Sequence, residues 1–482
     1  MNDFENTQVY DSTRETLKAT TVNAESVSLT YSPTLQFTRG YYSILYNLSS
    51  KMVKLNNYFS KLYADKYGKQ SLSQSKSAIE CCTYNLIKAV KLSQKEISFS
   101  SDRNRYTKVI LNGNEIKTDV GYTATMQMME LLSDLGLITI TKGYKVNTEF
   151  SGVKSKSGYF TLTQSLVNLV EDNVDLHRVR IGTKRSVVVL RDDNKTDLSF
   201  TETKYTKEII NVLSRYNKMM DKHTVMYKDV QLDTGLARIF NNDFNSGGRL
   251  YVTGGSYQTI PSQTRNMITI DGKSTAEVDI KGSHISILHT MVGSRLLKGY
   301  DPYEIEMQGV AEYDLPKQSF MLDTVDAKHN PFRNLVKVAL LIMINADSHG
   351  KAVGAMEAKV EAQIHLALDK LEDKPVEELA MLRFYGLKNI DVRELFRRIK
   401  KKHKVISEYF CSGAGVWLQK MEGDIFTKAV NRCVDEDVPV LVIHDSMRCI
   451  DTDVTKVSSF IEAAWLNVVG DTTNLQLEIE YK

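Results

Sequence analysis

The sequence predicts an α+β protein whose N-terminal half is mainly helical and whose C-terminal half mixes short strands with helices. From about residue 41 to residue 97, apolar side chains recur at three- and four-residue spacing, which indicates amphipathic helices. Beyond about residue 235, glycines cluster, and short apolar runs that indicate strands end in charged or polar residues. This change in sequence pattern predicts a domain boundary near residue 240.

Composition and charge narrow the classes of protein to consider. Of 482 residues, 42% are hydrophobic and 25% are charged, and the net charge is +3, so a nucleic-acid site would have to be a local patch. The five cysteines are odd in number and form no CxxC pair, which argues against a disulfide framework and a cysteine-ligated zinc site. This cysteine usage suits a reducing cytoplasm. The polar N-terminus and the absence of any run of about 18 apolar residues predict neither a signal peptide nor a membrane partner.

The N-terminal half is predicted to contain three regions. Residues 1–35 are polar and are expected to form a flexible arm, and residues 36–170 to form a helical domain with a winged-helix-like module. That module is predicted from a helix ending at Gly136, a short strand, and a two-stranded ribbon rich in lysine (Lys142, Lys145, Lys154 and Lys156). It could bind nucleic acid, dock a protein, or serve only as a packing module. Residues 171–240, which include a basic helix at 205–223, are expected to form a connecting or thumb-like region.

Two strand-like segments in the C-terminal half end in aspartates. The apolar run Val438 to Ile443 leads into His444 and Asp445, and the run Ala276 to Ile280 carries Asp279. Aspartates on two adjacent strand tips can share a pair of Mg²⁺ ions, because Mg²⁺ prefers carboxylate oxygens, waters and substrate phosphates. The alternative is a pair of exposed turn aspartates without a function.

A helical segment between these aspartates carries two cations. Arg333 and Lys337 lie four residues apart and therefore on one helical face, where they can bind a polyphosphate. The alternative is an amphipathic core helix with two cations that extend to solvent. Upstream, two glycine pairs flank Arg249, and glycine permits close approach of a partner to the backbone.

The order of these features resembles that of the family A nucleic-acid polymerases and the related single-subunit RNA polymerases. The resemblance covers roughly residues 240–482 and implies a right-hand polymerase palm and fingers at 241–482, with two Mg²⁺ ions, or Mn²⁺ in their place, as cofactors. GGRLYVTGGSYQTIP, EVDIKGSHISILH, RNLVKVALLIMINA, VWLQKMEGDI and VLVIHDSM match five family segments in the family order. The resemblance implies that Asp279 and Asp445 are metal ligands and that Arg333 and Lys337 bind the triphosphate. It also implies four nucleic-acid contacts: Arg249 and His444 near the primer end, Gln258 near the template, and Gln419 near the duplex minor groove.

Three departures from the family pattern concern the choice of sugar. DNA polymerases of the family have a glutamate where this chain has His284, a tyrosine where it has Asn345, and a second acidic residue where it has Ser446. The related RNA polymerases have His-Asp-Ser at the last of these places. A side chain as short as Asn345 leaves room beside the 2′ carbon and can hydrogen-bond a hydroxyl. Tolerance of ribonucleotides is the hypothesis that follows.

The resemblance implies a template-directed nucleotidyltransferase that adds nucleotides to a 3′-hydroxyl. The favoured interpretation is a DNA polymerase or primase-polymerase of a phage or mobile element, acting in a bacterial or phage-infected host cytoplasm on a DNA template and primer with nucleoside triphosphates. The short N-terminal half predicts low processivity, which a helicase, a clamp or a small accessory protein would compensate. The alternatives are a single-subunit DNA-directed RNA polymerase, a winged-helix DNA-binding initiator with a non-catalytic polymerase fold, and a metal-dependent nuclease.

Overall fold

The computed structural model describes most of the chain from residue 50 onward. The described residues are 50–176 with short gaps (95, 100, 102, 107, 118–119, 149–151 and 157), 186–252, 257–297, 299–306, 333–372 and 390–481. The predicted arm at 1–35 lies outside them. Helices and mainly antiparallel strands are mixed along the described chain, which agrees with the α+β class. No helix of the described part is long and apolar enough to cross a membrane.

Among the described residues, the first unit contains four α-helices and seven short strands. Its helices are α1 (Ser50–Tyr67), α2 (Lys69–Lys91), α3 (Tyr122–Asp134) and α4 (Gln164–Asn173). Its strands are β1 (Glu96–Ser98), β2 (Lys108–Leu111), β3 (Asn114–Lys117), β4 (Ile138–Thr141), β5 (Tyr144–Thr148), β6 (Gly152–Lys156) and β7 (Tyr159–Leu162). The amphipathic spacing predicted a helical start, and α1 and α2 bury that apolar face against α3 and the sheet β1-β7-β4.

The stretch for which the sequence predicts helix, strand and ribbon contains α3, β4 and the hairpin β5–β6. α3 ends at Asp134 with Leu135 as its C-cap, and Gly136 adopts a φ of +65°, a conformation that glycine tolerates at a helix end. Lys142 is exposed in the turn that follows β4. The side chains of the other three ribbon lysines lie outside the described part of the structure.

The second unit contains the remaining elements, beginning before the predicted boundary at 240. Its helices are α5 (Lys204–Met220), α6 (Ser262–Arg265), α7 (Ser283–Met291), α8 (Arg333–Asn345), α9 (His349–Glu372), α10 (Val392–Lys402), α11 (Gly415–Asp435) and α12 (Val454–Val469). Its strands are β8 (Val188–Arg191), β9 (Asp197–Leu198), β10 (Val225–Tyr227), β11 (Val230–Gln231), β12 (Leu236–Asn241), β13 (Gly247–Val252), β14 (Ile268–Ile270), β15 (Thr275–Ile280), β16 (Val440–Ile443), β17 (Ser446–Ile450) and β18 (Leu477–Glu480). One continuous hydrophobic core extends from Val187 to Trp465. The buried apolar residues of the predicted connecting region, from Val187 onward, therefore belong to this core.

An antiparallel sheet with the order β16-β17-β15-β18 lies at the centre of the second unit. β16 is buried at every position, which fits its uninterrupted apolar sequence, and β17 is also buried at every position although it carries Ser446 and Arg448. A two-residue turn, His444-Asp445, joins them, and Ile443 pairs with Ser446 across it. His444 has a φ of +55°, which the first position of such a tight hairpin turn requires.

Helix α11 passes close to strand β13 because it carries glycine at the contact. A Cβ atom added to Gly423 would overlap the carbonyl oxygen of Gly248 and lie 2.6 Å from a guanidinium nitrogen of Arg238. Arg238 is fully buried and bonds Gly248 O at 2.7 Å and Asp424 Oδ1 at 2.8 Å. This contact fixes the position of α11 relative to strand β13, which contains Gly248.

Candidate active site

Asp279 and Asp445 lie at the same end of the central sheet. Asp279 is the penultimate residue of β15 and pairs in register with Ser446, the residue that follows Asp445. The backbone N–H of Ile280 donates to the carbonyl oxygen of Asp445 at 3.1 Å. Because β15 and β17 are adjacent and antiparallel, the end of one strand meets the start of the other. The sheet thus brings together two aspartates that are 166 residues apart in the sequence.

Ionisation of both carboxylates is electrostatically unfavourable, because the two groups are close together and largely buried. Burial raises the pKa of Asp279 well above its ordinary value, and the charges of Asp445 and Glu277 raise it further, while Lys337 opposes the shift. The pKa of Asp445 is also raised, first by burial and then by the charge of Glu422. Nearby cations are what such a pair needs in order to stay ionised. The donor set therefore fits divalent cations.

No group of three or more His, Cys, Asp or Glu side chains among the described residues could hold a metal ion by itself. Two aspartates leave coordination positions open for waters and substrate oxygens. Mg²⁺ is commonly bound in this way, through one or two carboxylates and substrate phosphates. A closed structural metal site would instead provide most of its ligands from the protein.

One face of helix α8 carries a stripe of four side chains that changes along the helix from basic to apolar to amide. Arg333, Lys337, Leu341 and Asn345 recur every four residues and therefore lie along one face. The electrostatic effect of Lys337 on the pKa of both aspartates places it near them. Leu341 is 51% exposed, so this face of the helix presents an apolar side chain to solvent. The stripe thus begins with cations, continues with an exposed apolar surface and ends with an amide.

Tyr303 supports the cationic end of this stripe. The Arg333 guanidinium lies 4.9 Å from the Tyr303 ring centroid, and the Lys337 ammonium lies 5.7 Å from it. Arg333 Nε also donates to Asp301 Oδ2 at 2.7 Å. Burial raises the pKa of Tyr303, and the charges of Asp445 and Asp279 contribute to the shift, so this ring lies beside the aspartates. The sequence analysis did not identify Tyr303, since a tyrosine in a turn carries no distinctive signal.

Arg249, which is half-buried, forms a polar cluster next to Asp445 with the buried side chains of His284 and Glu422. Arg249 Nε donates to Glu422 Oε2 at 2.6 Å, Arg249 Nη2 lies 3.5 Å from His284 Nε2, and His284 Nε2 lies 3.6 Å from Glu422 Oε1. Burial would raise the pKa of Glu422, but His284 and Arg249 together lower it to about 2. Glu422 was also missed from the sequence. Its signal is a charge on the apolar stripe of α11, between Leu418 and Ile425.

The end of α8 contacts the start of α11. Gln419 Nε2 donates to Asn345 Oδ1 at 3.2 Å, and Asn345 Nδ2 donates to the Leu341 carbonyl at 2.8 Å. A Cβ atom added to Gly415 would lie 2.6 Å from Asn345 Cγ, so glycine permits this close approach. Asn345 and Gln419, both candidates from the sequence, therefore lie together.

Gln258 is buried between two strands, whereas His444 is exposed at a turn. The Gln258 side chain is buried and bonds Val252 N at 3.1 Å, Leu250 O at 3.0 Å and Val442 O at 3.0 Å, so it joins β13 to β16. His444 is exposed at the hairpin turn beside Asp445. The glycines at 254 and 255 lie outside the described residues.

No protein-family model matches the chain, and no curated protein matches it. Among solved structures, the chain is similar to the POL domain of Pol1 from M. smegmatis in complex with DNA primer-template and dNTP, with 11% sequence identity and a TM-score of 0.26. The match covers 90% of this chain, which spans 65% of that one.

Proposed function

We propose that the chain is a template-directed nucleotidyltransferase that extends a 3′-hydroxyl with the aid of two divalent cations. The observation that carries the proposal is the meeting of Asp279 and Asp445 at one sheet end, beside Lys337 on the exposed stripe of α8. Two acidic groups next to a helix face that carries cations and Leu341 suit a substrate that has both a metal-binding triphosphate and a base with aromatic faces.

The residues of the chain have separable tasks in this reaction. Lys337 and Arg333 bind the phosphates of the incoming nucleotide. Tyr303 packs against both of these basic side chains, and Asp301 binds Arg333, so the two side chains are held in place. Leu341 offers an apolar surface to the base. When bound at Asp279 and Asp445, divalent cations would activate the 3′-hydroxyl and offset charge on the leaving pyrophosphate. Catalysis then depends mainly on positioning and charge neutralisation.

Within this class, the finer assignment is a DNA polymerase or primase-polymerase acting on a DNA template and primer. A DNA-directed RNA polymerase is the second candidate, and the specific features that favour it are His284, Asn345 and Ser446 at the places described above. A non-catalytic initiator is disfavoured, because a binding protein would have no need to bury two repelling carboxylates. Accessory partners of the replication machinery and a replicative role in a phage or mobile element belong to the same proposal.

The proposal is tested by nucleotide incorporation on single-stranded DNA with Mg²⁺, with and without a primer, and with dNTPs or NTPs supplied separately. We expect the wild-type chain to extend a primer, and Asp445→Asn to lower the rate by about 100- to 1000-fold while DNA binding persists. Asp451→Asn is the matched control, because Asp451 is an exposed aspartate just beyond β17. Absence of incorporation by the wild-type chain under all four conditions would overturn the proposal.

A further inference from the structure

The turn formed by residues 300–306 has no regular secondary structure and lies against helix α10. Four of its backbone carbonyls accept hydrogen bonds from side chains in the last two turns of α10 or directly after it. Lys402 Nζ donates to the carbonyls of Asp301 and Glu304, His403 Nε2 donates to that of Pro302 at 3.0 Å, and Arg398 Nη1 donates to that of Glu306 at 3.0 Å. Carbonyl groups outside helices and sheets need donors of this kind. The side chains of α10 therefore determine the shape of the turn.

The same turn also contacts the candidate active site. Asp301 Oδ2 accepts from Arg333 Nε at 2.7 Å, and the Tyr303 ring contacts both cations of α8. A Cβ atom added to Gly282 would lie 4.0 Å from the Tyr303 hydroxyl, and Gly282 is three residues after Asp279. The turn therefore connects α10 with the cationic end of the α8 stripe and with the sheet end where the two aspartates meet.

Lys402 makes the central contact between α10 and this turn. Besides its bonds to two carbonyls, its ammonium group lies 4.8 Å from the Tyr300 ring centroid. Burial lowers the pKa of Lys402, so these protein groups have replaced part of the water around its charge. Lys401, the preceding residue, is exposed instead. Lys402 thus has the surroundings of an anchor for the turn rather than those of a solubilising surface charge.

We propose that Lys402 is a positioning residue for the phosphate-binding cations of α8 and acts on them through the turn 300–306. The inference rests on the proposed nucleotidyltransferase activity and deepens it by adding a residue that acts from outside the site. Loss of the Lys402 ammonium leaves two carbonyls of the turn without their donor. The turn then relaxes, and Asp301 and Tyr303 no longer hold the two cations where the phosphates meet both. A misplacement of about 1 Å, caused by a change far from the reacting atoms, can cost about 100-fold in rate.

The test is an equilibrium titration of the full chain, with primed DNA and Mg²⁺, against a fluorescent nucleoside triphosphate that has a methylene bridge between its α- and β-phosphorus atoms. This probe binds without reacting, so the Kd is measured independently of activity. We expect Lys402→Gln to raise the Kd about 10-fold, as for residues coupled in one network. Lys402→Arg, which keeps donors for both carbonyls, should restore most of the affinity. Lys401→Gln is the matched control and should keep the wild-type Kd.

A double-mutant cycle distinguishes positioning from general stabilisation. In an Arg333→Ala background, Lys402→Gln should raise the Kd less than about 3-fold, because the cation bound to Asp301 is then absent. Thermal unfolding of each variant, measured alongside, shows whether the protein is folded during the titration. An equal rise in the Kd in both backgrounds would mean that Lys402 only stabilises the fold, and it would overturn the inference.

Two further outcomes are decisive. An unchanged Kd in folded Lys402→Gln, with incorporation intact in the wild type, would overturn the role of Lys402 and leave the proposed function standing. A wild-type chain that neither binds the probe nor incorporates nucleotides would overturn the proposed function and this inference with it. If Lys402→Gln does not fold, Arg398→Gln takes its place, because it removes only the donor to the Glu306 carbonyl at an exposed contact. Its effect on the Kd should depend on Arg333 in the same way, and independence from Arg333 would overturn the inference.

Discussion

Asp279 and Ser446 face each other across the antiparallel pair of β15 and β17. Directly opposed residues project from the same face, which is also the face of Glu277 and its partner Arg448. Ser446 Oγ donates to Glu277 Oε1 at 2.7 Å, and Arg448 Nη2 donates to Glu277 Oε2 at 2.9 Å. A neutral donor at position 446 therefore suits a buried face that already carries two carboxylates.

Ser446→Glu is expected to destabilise the second unit by about 3–5 kcal/mol, because a third carboxylate would be buried beside Glu277 and Asp279 without a cation of its own. Ser446→Ala should cost only about 1 kcal/mol, the value of one hydrogen bond. Urea unfolding followed by tryptophan fluorescence measures both, since Trp417 and Trp465 belong to the second unit. Equal stability of the two variants would contradict this account.

Lys337→Ala should weaken nucleotide binding, because an exposed cation beside the two aspartates would no longer meet the phosphates. Loss of a charge-assisted hydrogen bond of about 1.5–3 kcal/mol corresponds to a rise in KM of roughly 10- to 100-fold. Lys351→Ala provides the control, because Lys351 is an exposed lysine on the next helix. Steady-state incorporation kinetics give KM, and an unchanged KM in Lys337→Ala would exclude phosphate binding by this residue.

Gly423→Ala should destabilise the second unit by several kcal/mol, although alanine favours helices by about 1 kcal/mol over glycine. The added Cβ would overlap the Gly248 carbonyl and press on the Arg238 guanidinium, neither of which can move easily. Gly354→Ala in α9 is the matched control, since nothing lies within 4 Å of its Cβ position. Thermal unfolding should therefore shift in opposite directions for the two variants, and a stabilised Gly423→Ala would contradict the close contact.

His403 is expected to make stability depend on pH in mildly acidic solution. Its ring is fully buried, with Nε2 3.0 Å from the Pro302 carbonyl and Nδ1 3.3 Å from the Tyr300 hydroxyl. Burial lowers the pKa of His403 to about 4 from an ordinary 6.5, and the charges of Lys402 and His289 add to the shift, whereas the Pro302 carbonyl opposes it. Between these two values the unfolded chain binds a proton that the folded chain does not, so stability falls as pH falls from 6.5 towards 4.

The loss across this window is on the order of 3 kcal/mol for His403, at about 1.4 kcal/mol for each pH unit. Urea unfolding of the wild type and of His403→Gln between pH 4 and 7.5 isolates this contribution, and the variant should show a shallower slope. His349→Gln, at an exposed residue, should keep the wild-type slope. Identical slopes in the wild type and His403→Gln would rule out the buried neutral histidine.

Much of the secondary structure followed from local pattern. The apolar run Val438 to Ile443, for example, predicted a buried strand, and β16 is buried at every position. Spacing likewise predicted that Arg333 and Lys337 share one helical face, and both lie on the stripe of α8. Periodicity carries this information because side-chain direction repeats with the backbone.

The sequence by itself thus determined the strand tips, the cationic helix and their order along the chain. Only the tertiary structure decided that Asp279 and Asp445 meet, that Arg333 is bound to Asp301, that Gln258 joins two strands, and that Glu422 lies beside His284. The physical reason is that register between strands and close approach of helices depend on packing among segments far apart in the chain, including single contacts such as that of Gly423 with Gly248. Local spacing contains no information about those contacts.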